Sequence, residues 1–280
     1  MRITGGLVLE VDKIKKAVIP AAGLGSRFYP LTRMYPKELL PVVDKPVIHY
    51  VVEEALNSGI EEILIIVGPQ KQAIINYFYG NEDEKNFIKG GEFITPDVNF
   101  VCQREPRGLA DSLAYAKKFV GSDPFLVLLG DTFYESYNER TVSAQIIETY
   151  LRWKSPVVAI EKIGQADLSS YGVVDAVRIF ENVWNIKNFI EKPSPNNAPS
   201  DMGMVGIYVL EGEIFDHIHE VKAGVDGEYQ LTDALQSIAY KKRFLGREFG
   251  GKTYNIGSKE MWINSFIEIA RRDEKFKNHT

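Results

Sequence analysis

Hydrophobic positions in this chain follow two periods. Short runs that are almost wholly apolar occur at residues 17–20, 62–67, 98–102 and 125–129. Runs of this length without polar alternation predict strands buried on both faces. Between them the period changes to that of a helix. Ile48, Val51, Val52, Ala55 and Leu56 fall at i, i+3, i+4, i+7 and i+8, and Gly59 stands where a helix-terminating glycine belongs. Residues 70–79 and 111–119 predict the next two helices. Strands alternating with helices predict a parallel sheet covered on both sides. Residues 81–96 are polar, charged and contain glycine, which predicts a mobile excursion.

Past Pro156 the rhythm shifts. Residues 157–160, 172–177, 183–189 and 204–210 predict strands with few helices between them, hence an antiparallel or mixed part of the sheet. Helices return at 228–241, with Leu231, Ala234, Leu235, Ile238 and Ala239 as the apolar stripe, and at 259–275, with Trp262, Phe266, Ile269 and Ala270. There is no internal repeat and no linker-like stretch. The expectation is an α/β fold: a Rossmann-like, mixed but mainly parallel sheet flanked by helices. It forms one domain over 14–275, with halves at 14–135 and 136–258 and a C-terminal helix at 259–275.

Composition removes several function classes. The chain has 280 residues, 45% hydrophobic and 25% charged, which excludes disorder, collagen and coiled coil. Its net charge is −5, so no nucleic-acid partner is expected. A polyanionic ligand must then be met by a local group of cations. The single cysteine, Cys102, excludes an intrachain disulfide, and its neighbours Phe100 and Val101 predict a buried strand thiol. The histidines are His49, His217, His219 and His279. They show no zinc spacing, and His217 and His219 fall on different helix faces. Residues 1–12 do not read as a signal peptide, and no stretch approaches a membrane span. The expected compartment is the cytoplasm, without a membrane partner.

The first strand runs directly into Ala21-Ala22-Gly23-Leu24-Gly25-Ser26-Arg27. Small residues and two glycines let backbone N–H groups approach an anion. The dinucleotide fingerprint fails because Phe28 stands where its third glycine belongs. The Walker pattern fails because no Gly-Lys-Ser/Thr follows. Arg27 closes the loop, and Lys37 follows in Tyr35-Pro36-Lys37-Glu38-Leu39-Leu40-Pro41, bounded by prolines. Two cations beside such a loop suit a triphosphate. Asp131 follows the apolar strand at 125–129, at the carboxyl end where open α/β sheets place ligands, and its carboxylate suits Mg²⁺. Gln103 ends the third strand. Its amide offers a donor and an acceptor that match the edge of uracil, of thymine, or of adenine.

These motifs, with Arg107-Gly108-Leu109-Ala110, Tyr171-Gly172-Val173-Val174-Asp175, Ile190-Glu191-Lys192-Pro193, Val205-Gly206-Ile207-Tyr208 and Gly227-Glu228-Tyr229-Gln230-Leu231-Thr232-Asp233, occur in one order along the chain. The chain thereby resembles the sugar nucleotidyltransferase family over about residues 14–270. Its likeness is to the bacterial-type branch that joins UTP to glucose 1-phosphate.

The resemblance implies a nucleotidyltransferase fold. The reaction it implies is Mg²⁺-dependent and in-line, giving UDP-glucose and pyrophosphate with no covalent enzyme intermediate. Arg27, Lys37, Asp131 and Lys192 are then the catalytic residues, with Asp131 also the metal ligand. Ala21, Ala22, Gly23, Gly25, Ser26, Gln103 and Gly108 are assigned to the nucleotide. Gly172, Glu191, Val205 and Gly206 are assigned to the sugar phosphate.

Three positions depart from the family pattern. Ser26 replaces the usual Thr and keeps a hydroxyl. Asp111 stands where uridylyl relatives often have His. Asn255 stands where relatives commonly carry Asp, and keeps only a carbonyl oxygen for a metal. The resemblance also implies a homo-oligomer, a dimer or tetramer, although the 81–96 excursion that helps build the interface in many relatives is shorter here. The alternatives are the same chemistry with dTTP or another hexose 1-phosphate, or a non-catalytic regulatory paralogue.

Overall fold

A computed structural model of the chain describes residues 13–79, 87–89, 92–94, 96–224 and 227–272. The first half is built from β1 (Lys16–Ala21), β2 (Pro41–Val42), β3 (Lys45–Pro46), α1 (Val47–Asn57), β4 (Glu62–Val67), α2 (Gln72–Tyr79), β5 (Phe87–Lys89), β6 (Glu92–Ile94), β7 (Asp97–Cys102), α3 (Leu109–Ala114), α4 (Lys117–Val120) and β8 (Phe125–Leu128). There follow β9 (Thr132–Ser136), α5 (Val142–Trp153), β10 (Val157–Lys162), β11 (Val173–Phe180), β12 (Val183–Ile190), β13 (Met202–Leu210), α6 (Ile214–Glu220), α7 (Leu231–Lys241), β14 (Leu245–Glu248), β15 (Gly251–Asn255) and α8 (Lys259–Arg272).

Nine strands form one sheet in the order β10-β14-β12-β11-β13-β8-β1-β4-β7. Strands β8, β1, β4 and β7 run parallel. The strands beyond β8 are mostly antiparallel, although β10 and β14 are parallel. β10 also pairs with β13, so these strands curl back on themselves instead of ending in an open edge. The sheet is mixed as expected, but it is not mainly parallel: among the described residues its antiparallel pairings are at least as many as its parallel ones, because only the first half of the chain alternates strand and helix.

Alternation along each strand assigns the two faces. Ala17 and Ile19 of β1 and Ile63 and Ile65 of β4 pack with Val51, Val52 and Ala55 of α1 and Ile146 of α5. Val18, Leu64 and Ile66 point the other way, onto Leu113 of α3, Phe215 of α6 and Leu235 of α7. The central strands are thus covered on both sides, which is why they read as unbroken apolar runs. Helix α1 ends as its pattern predicted. Gly59 N–H donates to Leu56 O at 3.1 Å and Ile60 N–H to Ala55 O at 3.2 Å, a Schellman closure.

Several sequence expectations need correction. The 228–241 helix begins only at Leu231, because Gln230 is extended and Tyr229 is bonded on both sides: its N–H donates to Arg107 O and its carbonyl accepts from Ala110 N–H. The 111–119 helix is two short helices, α3 and α4, interrupted at Tyr115 and Ala116. Helix α2 starts at Gln72 rather than residue 70. Helices α5 and α6 and strands β9, β14 and β15 were not expected at all. Cys102 is exposed, not buried: it ends β7, the outermost strand of the sheet, where no further strand covers it.

Within the 81–96 excursion, β5 and β6 pair as a short antiparallel hairpin, and most of the rest lies outside the described residues. So do residues 1–12, residues 273–275 of the expected last helix, and His279. His217 is buried while His219 is exposed, as their spacing implied. Among the described residues no helix is long and apolar enough to cross a membrane.

Chain order reverses beside β1. The chain moves from β1 to β4 to β7 on one side, then returns to β8 on the other. The loops leaving β1 and β8 must therefore diverge at their carboxyl ends, and a crevice opens between them. Those two loops carry Arg27 and Asp131.

Candidate active site

The crevice is one cleft with two lobes. The first, about 380 Å³, lies over the β1 loop and is lined by Ala22, Gly23, Gly25, Ser26, Gln103 and Gly108, among others. The second, about 260 Å³, opens toward the antiparallel part of the sheet and is lined by Gly172, Glu191, Lys192, Val205, Gly206 and Asn255, among others. Arg27, Lys37, Asp131 and Glu228 line both lobes. The structure thus brings together every sequence-assigned residue except Ala21. That residue ends β1 with its side chain buried and lines neither lobe.

The β1 loop is a fixed turn. Gly25 adopts φ 63° and caps a short 3₁₀ turn over Ser26–Phe28, a left-handed conformation that glycine takes without cost. Thr32 Oγ1 donates to Gly25 O at 2.8 Å and holds the loop from outside. Among the described residues, the backbone N–H groups of Ala22 to Arg27 enter no turn or cap hydrogen bond, so they remain available to an anion. Helix α8 braces the segment that follows: Trp262 Nε1 donates to Pro41 O at 2.9 Å and Lys259 Nζ to Tyr29 O at 2.9 Å.

Where the lobes meet, Lys37 donates to Asp131. Burial pulls the Lys37 pKa down, but the carboxylates of Asp131 and Glu38 outweigh it and leave the pKa above the ordinary lysine value. Burial likewise pushes Asp131 up, and Lys37 outweighs that, leaving its carboxyl below the ordinary range. Each group keeps its charge because the other is present.

A second pair lies behind. Lys71 donates to both oxygens of Glu38 at 2.8 Å, and both residues are buried. Burial, only partly offset by Glu38, pulls the Lys71 pKa down. Glu38 and Lys71 went unremarked in the sequence, where a lysine before a helix looks like an ordinary solvated side chain.

Arg27 Nη1 donates to Gly257 O at 3.3 Å, and Gly257 N–H donates to Asn255 Oδ1 at 2.5 Å. The Asn255 carbonyl is therefore engaged in the turn that steadies Arg27. In the second lobe, Thr232 Oγ1 donates to Glu191 Oε2 at 3.1 Å, and Lys192 Nζ lies 3.4 Å from Glu191 Oε1. Lys192 itself sits at φ 42°, a left-handed backbone that a lysine adopts at a cost. Tyr134 OH donates to Val205 O at 2.5 Å and fixes the wall opposite. Thr232, Tyr134 and Glu228 were also missed from sequence. Thr232 and Tyr134 reach Glu191 and Val205 across 41 and 71 residues of chain, so no local pattern marks those contacts.

Gly108 takes φ 106°, and a Cβ built there would lie 2.6 Å from Tyr229 O and 2.7 Å from Tyr229 N. Gly108→Ala is expected to destabilise the protein by roughly 2–3 kcal/mol and to raise the KM for the ligand of the first lobe. Thermal unfolding and initial-rate kinetics check both.

An open α/β sheet with a small-residue loop, two cations and a strand-end carboxylate at its switch point defines a protein that handles a phosphorylated ligand in two parts. The chain belongs to the nucleotidyl transferase family, which it matches over residues 16–270. It is 37% identical to the UTP–glucose-1-phosphate uridylyltransferase of Bacillus subtilis (strain 168), over 96% of this chain and 95% of that protein. It superposes on a crystal structure of UDP-glucose pyrophosphorylase complexed with UDP-glucose at TM-score 0.87 and 35% identity, covering 93% of this chain and all (100%) of that one. It superposes on the UTP-bound enzyme from Acinetobacter baumannii at TM-score 0.83 and 29% identity, covering 94% of this chain and 96% of that one.

Proposed function

We propose that this chain transfers the uridylyl group of UTP to glucose 1-phosphate, giving UDP-glucose and pyrophosphate. The observation that carries the reading is the meeting of two lobes at Arg27, Lys37 and Asp131. A nucleotide in the first lobe and a sugar phosphate in the second have their phosphates face to face there.

The two substrates bring together roughly six negative charges. At 4 Å each like pair repels by about 4 kcal/mol at an effective dielectric of 20. Positioning and charge neutralisation are therefore the main work of the protein. Arg27 takes the β- and γ-phosphates with its planar fork. Lys37 lies against the α-phosphate. Lys192 draws in the sugar phosphate, and Glu191 accepts from sugar hydroxyls. The backbone at Gly172, Val205 and Gly206 shapes the sugar lobe. Ala22, Gly23, Gly25 and Ser26 offer their N–H groups to the triphosphate. Gly108 lies flat against the base and Gln103 meets its edge. A phosphate oxygen of the sugar phosphate attacks the α-phosphorus in line. The bond to the β-phosphate bridging oxygen breaks, and pyrophosphate leaves with the electron pair.

The proposed metal is Mg²⁺. Among the described residues no group of three His, Cys, Asp or Glu side chains could hold a metal, and Asn255 Oδ1 is engaged by Gly257. The donor set is one carboxylate, Asp131, which fits a hard cation that takes its other ligands from phosphates and water. Mg²⁺ held there supplies neutralisation of phosphate charge. A reaction that draws on nucleoside triphosphate is proposed to run in the cytoplasm.

The test is pyrophosphate release with glucose 1-phosphate and Mg²⁺, scanned over UTP, dTTP, ATP, GTP and CTP. Release with UTP well above the others is the expected result. Equal rates with dTTP would move the proposal to a pyrimidine-general enzyme. No release with any nucleotide from folded protein would overturn it in favour of another sugar phosphate or a regulatory paralogue.

A further inference from the structure

We infer that Asp111 sets the polarity with which the Gln103 amide meets the base, and thereby excludes cytosine. The inference rests on the proposed placement of the base against Gln103.

Gln103 leaves β7 with its backbone N–H bonded to Val67 O at 2.9 Å, and the residue is only 2% exposed in the wall of the first lobe. Its Nε2 donates to Asp111 Oδ2 at 2.7 Å and approaches Gly108 O at 3.5 Å. A carboxylate and a carbonyl only accept. An amide is symmetric in shape and could turn over, but here turning would set Oε1 against two oxygens. Burial makes that unpaired contact costly. Asp111 is itself held: Arg107 Nη2 donates to its Oδ1 at 2.9 Å, and Arg107 O accepts from Tyr229 N–H at 2.8 Å.

One hydrogen of the Gln103 NH₂ group goes to Asp111. The other hydrogen, which makes only the long 3.5 Å approach to Gly108 O, shares with Oε1 the edge that faces a ligand, a donor beside an acceptor. Uracil answers with O4 and N3–H. Cytosine presents the reverse, an acceptor at N3 and a donor at N4, and would need the amide turned over. Adenine has the same reversed polarity at N1 and N6. Guanine shares the polarity of uracil, so the lock leaves it to be rejected by ring size. Without Asp111 only the distant Gly108 O opposes the turned-over amide, so both orientations become accessible.

The test compares kcat/KM for UTP and CTP, with glucose 1-phosphate, in the wild type, Asp111→Asn and Arg107→Ala. Asparagine can accept or donate, so it fits the shape and releases the lock. The expected result is a UTP-selective wild type whose UTP:CTP ratio falls about tenfold or more in Asp111→Asn, mainly through gain with CTP. Arg107→Ala, which removes the other partner of the carboxylate, keeps the ratio. If Asp111→Asn loses turnover, the ratio is read from equilibrium binding of the two nucleotides, and from Asp111→Ala as a second variant. A UTP-selective wild type with an unchanged ratio in the Asp111 variants overturns the inference and leaves the proposed base placement standing. An equal collapse in Arg107→Ala also overturns it, because general loosening of the loop would then be the cause. A wild type that does not favour UTP overturns the base placement itself.

Discussion

Replacing Asp131 by asparagine is expected to lower kcat by about a thousandfold or more, with a loss of stability of roughly 1–3 kcal/mol. The carboxylate stands just past β8, where both lobes meet, and it is the group proposed to hold the cation. Asparagine keeps its shape and can still accept from Lys37, so the packing beneath is retained. What disappears is the negative charge proposed to gather a cation where the phosphates crowd. The Lys37 ammonium is left with Glu38 as its neighbouring charge, and Glu38 is already held by Lys71, so part of the support for its charge is lost. The measurement is steady-state turnover over a Mg²⁺ series, with thermal unfolding in parallel. Turnover within tenfold of wild type at the same Mg²⁺ concentration would remove Asp131 from the chemistry.

Lys192→Gly is expected to raise the KM for glucose 1-phosphate by about 30- to 100-fold and to leave the KM for UTP almost unchanged. The ammonium stands in the second lobe beside Glu191, away from the β1 loop. The backbone there supplies a control. At φ 42° the residue is in the left-handed region, and its N–H donates to Tyr171 O at 3.2 Å. Glycine accepts that conformation freely, so Lys192→Gly should unfold at the same temperature as wild type or above it. Lys192→Ala should show the same kinetic loss without the gain in stability. A larger effect on the KM for UTP than on that for the sugar phosphate would show that Lys192 belongs to the other lobe.

The parallel half of the fold was legible because burial on both faces writes itself as unbroken apolar runs. β1, β4 and β8 appeared this way; β7 was also found as a strand, but as the edge of the sheet it is only partly buried, with Asn99 and Cys102 exposed. Helix α1 was legible from its stripe and from Gly59. Strands β9 and β15 were not, because they are short, rich in polar residues, and pair only with each other. Cys102 was misplaced because local hydrophobicity does not reveal which strand lies at the edge. The residues Glu228 to Gln230 read as helix from their neighbours, yet Tyr229 is pinned by Arg107 and Ala110 across more than a hundred residues.

The site followed the same division. Asp131 could be placed at a strand end by physics alone, and the β1 loop by its small residues. Glu191 and Lys192 were assigned by resemblance, since nothing local separates them from an exposed strand-end pair. The Glu38–Lys71 pair and the Asp111–Gln103 contact are created by tertiary packing, and only the structure reveals them.

The most direct test of the account follows the α-phosphorus of the nucleotide. UTP labelled at the α-phosphate is mixed with glucose 1-phosphate, Mg²⁺ and the protein, and the products are separated. The account predicts that the label moves into UDP-glucose, one for each pyrophosphate released, with none retained on the protein. Label recovered as free UMP, or bound covalently to the chain, would contradict it.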